Sequence, residues 1–354
     1  MSLTRRGRLV VSVAVAVCLL GGVGAAVALT GSHSPVAKAF QRLTGNSTSP
    51  SSPTPAARCP LTGAAPPKMG VVPARPALAV KVENTTAAYP LAGLDKADIV
   101  YEELVEGGIT RFMVVYQCQD SARVGPVRSA RTTDPRLLRQ FDMHSPIAYS
   151  GGQSAVVNLL NAMGLVGVTE TNAPGAFHRD PSRAAPHNLF VGTQAAFAAG
   201  RKRSSKGLPS AVFIYSDAPA GGKRIRSVSI QFSYSTFADW TWTGGHWVRM
   251  SGGAPMKLEN GAAIAADNVL IQQVTVRQGQ LVDVLGNHSP QVDLMGTGRA
   301  WLLRGGSVIA GTWSRSTLSD ITTFSTRAGA QMTLAPGVTW VELAPVGEHV
   351  TFKK

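Results

Sequence analysis

Apolar residues along this chain follow three patterns. Residues 9–29 form one run without a single charge. Residues 30–57 lose any apolar periodicity and become rich in Ser, Thr and Pro, with Ser49-Pro50-Ser51-Ser52-Pro53-Thr54-Pro55 at the centre. From about Ala77 the apolar positions return as short runs, some spaced by two and some at helical spacing. The first pattern suits a membrane or an export signal, the second a spacer, and the third a folded region.

In the folded region, 77–83 (Ala-Leu-Ala-Val-Lys-Val-Glu) reads as a strand that leaves into Asn84. Runs 98–106 and 109–117 flank Gly107-Gly108 and predict a hairpin. Glu and Leu also favour helix in the first run. Val100, Tyr101, Val105 and the glycine turn select strand. A period of two then puts Glu102, Leu104 and Glu106 on one face, and Tyr101, Glu103 and Val105 on the other. Asp134-Pro135 opens a helix with Leu137, Leu138 and Phe141 on its apolar side. Run 146–149 is a strand that feeds Gly151-Gly152-Gln153-Ser154 and a helix over 155–163. A further helix spans 193–199.

Beyond a basic hinge, 201–209, nearly every run has strand character. The spacing predicts strands at 211–215, 228–235, 239–243, 246–250, 269–277, 281–285, 291–296, 299–304, 307–313 and 339–343. Gly244-Gly245 and Gly305-Gly306 mark tight turns. All six tryptophans lie here. Trp240 and Trp242 share a strand face and, with Trp247, predict either core packing or an exposed aromatic platform.

The fold class is therefore α+β. An N-terminal mixed α/β domain over 58–205 precedes a mostly antiparallel β domain over 206–354. Residues 1–29 are a signal peptide or membrane anchor, and 30–57 a spacer that cannot bury enough apolar area to order itself. Arg5, Arg6 and Arg8 form a basic flank, and Ala26-Val27-Ala28 is a small-x-small exit. The flank keeps the N-terminus cytoplasmic, so the remainder is extracytoplasmic, secreted or held at the membrane. The run is long enough both for a cleaved signal and for a retained span, and the sequence leaves these open. Lipidation at Cys18 fits less well, because Val17 is not small and apolar sequence continues past the cysteine.

Composition adds two constraints. The net charge is +14, which favours anionic partners. The densest basic cluster is only Arg201-Lys202-Arg203 with Lys206, and the chain is expected outside the cell, so nucleic acid is not the expected partner. Cys59 and Cys118 are the two cysteines outside the apolar run. In an exported chain they are expected to pair, pinning the N-terminal arm to the sheet; two separate buried thiols are the alternative.

The candidate chemistry gathers in the first domain. Glu103, Glu106, Arg111, Arg128, Arg131, Arg183, His187 and Asn188 come from separate polar motifs there. Arginine recognises carboxylate or phosphate bidentately, so these motifs point to an anion site. Two carboxylates with His187 also fit acid–base work. Internal ion pairing is the competing explanation for each residue. No nucleophile elbow, triad order, zinc spacing or cofactor-binding motif is present, and His178 and His187 lie too far from further ligands for a metal.

The segments Ala97-Asp98-Ile99-Val100-Tyr101-Glu102, Val105-Glu106-Gly107-Gly108-Ile109-Thr110-Arg111, Gly125-Pro126-Val127-Arg128-Ser129-Ala130-Arg131 and Ala185-Pro186-His187-Asn188-Leu189 resemble the bacterial YerB-like family. These are lipoproteins with a two-part domain of unknown function. The resemblance runs from about Pro73 to Pro345. It implies an envelope location and a two-domain layout, and no established reaction. The chain departs from the lipoprotein members at Cys18. The expected function is a tethered envelope protein that binds an anionic wall polymer or a wall-synthesis protein. A hydrolase or transferase acting on wall precursors or glycans is the alternative, and a membrane-surface role for 201–206 a third.

Overall fold

Strand Thr339–Pro345 lies at the middle of the fold, far from the middle of the sequence. It pairs in parallel with Ile99–Leu104 on one side and with Asn268–Val274 on the other. The computed structural model describes residues 57–67, 70–201, 203–204, 207–219, 221–283 and 285–354, which belong to one unit, Pro55–Lys354. The signal or anchor segment, Cys18, almost all of the spacer, and Lys202 and Lys206 of the basic hinge lie outside the described residues.

The large sheet runs in the order Thr323–Thr326, Ser307–Arg315, Gly296–Arg304, Asn268–Val274, Thr339–Pro345, Ile99–Leu104, Thr110–Tyr116, Leu78–Glu83, Pro146–Ala148, Val166–Val168. Lys223–Arg224 adds to Ser307–Arg315. A second sheet carries Ala254–Pro255, His246–Ser251, Phe237–Thr243, Ser227–Gln231 and Val350–Lys353, with Ala265–Ala266 beside His246–Ser251.

Both faces of the large sheet are covered, which is why its central strands read as nearly continuous apolar runs. On one face Val80, Val82, Val100, Phe112, Val114 and Trp340 pack toward the second sheet, against Ile230, Trp240 and Trp247. On the other, Ala79, Ile99, Tyr101, Met113 and Val115 pack on Leu137, Leu138, Val156 and Leu160 of two helices and on Phe141 just past the first of them. Those two are Thr133–Leu138 and Ser154–Ala162; Thr193–Gly200 instead places Ala196 and Phe197 in the first core, and among the described residues strands dominate more than an α/β first half implied.

Trp240, Trp247, Trp301, Trp313 and Trp340 are buried and Trp242 is half-buried against the core, so the tryptophans are packing residues rather than a platform. Trp240 meets Trp340 edge-on at 5.1 Å between ring centres. Cys59 and Cys118 form the expected disulfide, with Cα atoms 5.9 Å apart.

The expected strand over 269–277 divides in two. Asn268–Val274 stays in the large sheet, while Val276–Val282 leaves it to pair with His288–Val292 as a projecting hairpin. Alternating polarity continues across Thr275, so the pattern contains no sign of the exit. Strands Val166–Val168, Phe177–Arg179 and Leu189–Val191 were not anticipated, because three residues are too few to display a period.

Candidate functional site

Strand alternation and register bring several charges to one end of the helix-covered face. Arg111 lies opposite Glu83 in one neighbouring strand and opposite Glu103 in the other. The segment 125–131 then runs back along the first strand. Glu83 donates its backbone N–H to the Pro126 carbonyl, and Arg128 donates to the Lys81 carbonyl. Gly125 makes this return possible. Its φ is 150°, and a Cβ there would lie 2.8 Å from the Leu189 carbonyl oxygen. Arg128 and Arg131 thereby arrive beside Arg111.

The two expected glutamates have different fates. Glu103 is fully buried and bonded to Lys81, which also reaches Asp134 at 2.8 Å. Burial, and then the nearby Asp134, push the Glu103 carboxyl up to about 7. It faces no opening. Glu106 stands at the cleft but is engaged. Arg131 donates to it at 2.6 and 2.7 Å, and the Ser289 hydroxyl donates to its other oxygen. Burial resists its ionisation, but Ser289 and Arg131 outweigh burial and hold the carboxyl below its ordinary value. His187 is paired with Glu83, at 2.9 Å, rather than with Glu103 or Glu106. The acid–base set expected from Glu103, Glu106 and His187 is therefore not assembled.

Arg111 is the exception among these charges. It is 8% exposed, and among the described residues no carboxylate lies within ion-pair distance of it, although the charges of Glu106 and Glu83 act on it from further off. Among the described residues its guanidinium donates from Nη1 to the Ser129 carbonyl at 3.3 Å, and Nε is without a partner. Burial, with Arg131 and Arg128 beside it, lowers its pKa to about 10. Arg128 approaches Glu83 only to 3.7 Å and donates to the Pro186 carbonyl at 3.3 Å. All three arginines line an open cleft of about 590 Å³. Its other walls are Glu106, Gly107 and Ile109, Gly152-Gln153 and the hairpin tip with Val282, Asp283, Leu285 and Asn287. Gln153 donates to the Val282 carbonyl at 2.9 Å, joining two of these walls. Three guanidiniums stand here against two carboxylates, Glu106 and Asp283, so the lining keeps a net positive charge in a partly desolvated space, which suits an anion.

Arg183 and Asn188 stand apart from this cleft. Arg183 donates to the carbonyls of Pro90 and Ala88 and lies over the Phe190 ring. Asn188 accepts from Arg179 at 2.9 Å. Sequence reading missed Lys81, Glu83 and Ser289. A lysine inside the apolar run Leu78–Glu83 was the available signal, since an unpaired lysine does not survive full burial. It also missed a cluster on the opposite face. There Arg249 donates to Glu102 at 2.7 and 3.1 Å and to Glu342 at 3.1 Å, and Trp240 donates to Glu342 at 2.7 Å. Burial and the adjacent Glu102 raise the Glu342 carboxyl well above its ordinary value. Among the described residues, no three His, Cys, Asp or Glu side chains gather as metal ligands.

Two family models match the chain, over residues 61–206 and 228–341, described as the N-terminal and C-terminal domains of a protein of unknown function (DUF3048). The chain belongs to the DUF3048 family. It is 29% identical over 310 residues to the Bacillus subtilis (strain 168) protein named "Putative lipoprotein YerB", covering 81% of this chain and 86% of that one. The crystal structure of YerB from Bacillus subtilis matches with a TM-score of 0.71 at 25% identity, over 83% of this chain and 99% of the crystallised chain. The resemblance seen in the sequence motifs therefore extends to the fold. In this DUF3048 protein the arginine cleft joins both matched parts: Arg111, Arg128 and Arg131 come from the first and the hairpin tip from the second.

Proposed function

We propose that the protein is an extracytoplasmic, membrane-tethered binder of an anionic envelope component, held in the cleft of Arg111, Arg128 and Arg131. The N-terminal apolar run and the lipoprotein name of its relative support the location. One observation carries the binding role: Arg111 is a buried guanidinium that no carboxylate of the described residues pairs with directly, and it lines an opening. Such a charge is costly unless an anion completes it. Phosphate-bearing polymers of the wall and phosphate-bearing lipids both present a suitable group. Binding is favoured over catalysis because Glu106 is saturated and Glu103 is sealed, so neither offers a free carboxylate for proton transfer.

Calorimetry with inorganic pyrophosphate as probe tests this. Binding is expected to weaken about tenfold or more in Arg111→Gln, the loss typical of one charge-assisted bond, and to fall as salt rises. Absence of pyrophosphate binding by the unaltered protein sinks the proposal.

A further inference from the structure

The arginine cleft opens at an end of the molecule that also concentrates exposed apolar side chains. Strands Ile99–Leu104, Thr339–Pro345 and Asn268–Val274 are mutually parallel, so their C-terminal ends lie together. Val346 follows the second of these, and its N–H bonds the Val274 carbonyl at 2.8 Å. Met295 precedes Gly296–Arg304, which runs antiparallel to Asn268–Val274 and begins beyond its end. The turn between Ser227–Gln231 and Phe237–Thr243 reaches the same place. Ser233 and Thr236 each donate to the Gly108 carbonyl at 2.7 Å, which sets Tyr234 and Phe237 beside the cleft wall. The projecting hairpin supplies Val282 and Leu285, both lining the cleft.

Tyr234 is 96% exposed and Leu285 83%, and Val282, Phe237, Met295 and Val346 are all exposed as well. Large apolar side chains this open are ordinary when scattered; gathered at one end they mark an interaction surface. Their occupant is indicated by what they surround. The cleft among them holds Arg111, Arg128 and Arg131 and calls for an anion. The nearby acids are largely engaged: Asp283 accepts from the amides of Leu285 and Asn287, and Asp293 from Arg277, while Glu348 has no such partner among the described residues. Apolar loop tips around a cationic recess match the surface of an anionic bilayer, where apolar groups enter the interface and a headgroup phosphate meets guanidiniums.

We propose that this end of the molecule docks on an anionic lipid surface. Tyr234, Phe237, Val282, Leu285, Met295 and Val346 enter the interface, and a headgroup phosphate sits against Arg111, Arg128 and Arg131. This rests on the anion-binding reading of the cleft and names the form in which the anion is presented. A protein held near a membrane by its N-terminal segment would then also face that membrane with its arginine cleft.

The test uses residues 57–354. Both apolar cores lie within them, and the match spans 99% of a relative that crystallised, so this piece stands as a folding unit. Sedimentation is measured with phosphatidylcholine vesicles with and without phosphatidylglycerol, beside calorimetry with pyrophosphate. The unaltered protein is expected to bind the phosphatidylglycerol vesicles and pyrophosphate. Tyr234→Asn with Met295→Gln, both at exposed positions outside the cleft lining, is expected to lose vesicle binding about tenfold and to keep pyrophosphate. Arg128→Gln is expected to weaken both. Pyrophosphate binding without preference for phosphatidylglycerol vesicles, or an unaffected double variant, overturns the lipid inference and leaves the anion site standing. Loss of self-association in the double variant, with vesicle binding unchanged, identifies a second copy as the occupant and likewise overturns it. Failure to bind either probe removes both readings.

Discussion

Glu102 and Glu103 are adjacent on one strand and face opposite sides of one sheet. On the second-sheet side, Glu102, Glu342 and Arg249 form a closed cluster, fully buried and cross-bonded, with Trp240 completing it. On the helix side, Lys81 closes Glu103 and Asp134 in the same manner. Only a few ångströms along that side, Arg111 stands in register with Glu83 and Glu103, yet neither lies within ion-pair distance. Residue types alone do not separate a structural ion cluster from a ligand site. Partner count and access to solvent do: charges that complete one another hold the fold, and a buried charge without a direct partner beside an opening is a candidate ligand site.

The comparison breaks most sharply at Arg249. Arg249→Ala leaves Glu102 and Glu342 buried without their cation and should cost about 3–5 kcal/mol of stability. A denaturant midpoint close to the unaltered protein's would mean that the cluster is not what holds the two sheets together. The disulfide comes next. Replacing Cys59 and Cys118 by Ser opens a loop whose ends are 59 residues apart and should cost about 2–5 kcal/mol. Cys118 lies just past the end of the strand that Arg111 begins, so pyrophosphate affinity should survive at room temperature. Loss of binding together with stability would tie the cleft to the arm.

A pH series sharpens the comparison further. The Glu103 carboxyl is raised from an ordinary 4.5 to about 7, and burial raises that of Asp98 from 3.8 to about 6. Raised values mean that the folded state holds these protons more tightly than the unfolded chain. Their contribution is complete below the unfolded values and declines as pH climbs through about 4 to 7. Glu106, lowered, acts in the opposite sense and only where pH falls below its ordinary range. The urea midpoint should therefore be higher near pH 5 than above pH 7. A rise in stability across that window would contradict the sealed state of Glu103. The smallest change is expected at Arg111. Arg111→Leu removes a buried charge that no carboxylate of the described residues pairs with, so stability should hold or rise slightly, while anion binding weakens at least about tenfold. A loss as large as that of Arg249→Ala would make Arg111 another structural charge.

Much of the architecture was legible. The strands around Gly107-Gly108, the helices after Asp134 and Ser154, and the pairing of Cys59 with Cys118 follow from local signals in period, caps and compartment. The alternation of Glu102 and Glu103 was also readable, and it assigned them correctly to opposite faces. Their partners were not. Arg249 is 147 residues from Glu102, and Lys81 is 22 from Glu103, and no local pattern links either pair. Arg111, Arg128 and Arg131 were readable as a group because polar motifs interrupted apolar runs. Arg183 and Asn188 carried the same signal and lie elsewhere, held by Phe190 and backbone carbonyls and by Arg179.

By itself the sequence determined what depends on near neighbours along the chain: the apolar N-terminal run, the Ser/Thr/Pro-rich stretch after it, the strand periods and the net positive charge. Those are set by side-chain chemistry and local backbone preference, and they need no fold. Only the tertiary structure decided which charges meet. Placing Thr339–Pro345 between Ile99–Leu104 and Asn268–Val274 brought Glu342 to Glu102 and joined both halves in one sheet. The same arrangement carried the hairpin tip over the arginines and gathered the exposed apolar residues around them. Burial and pairing are properties of position in space, so a charge becomes structural or functional only once the chain has closed around it.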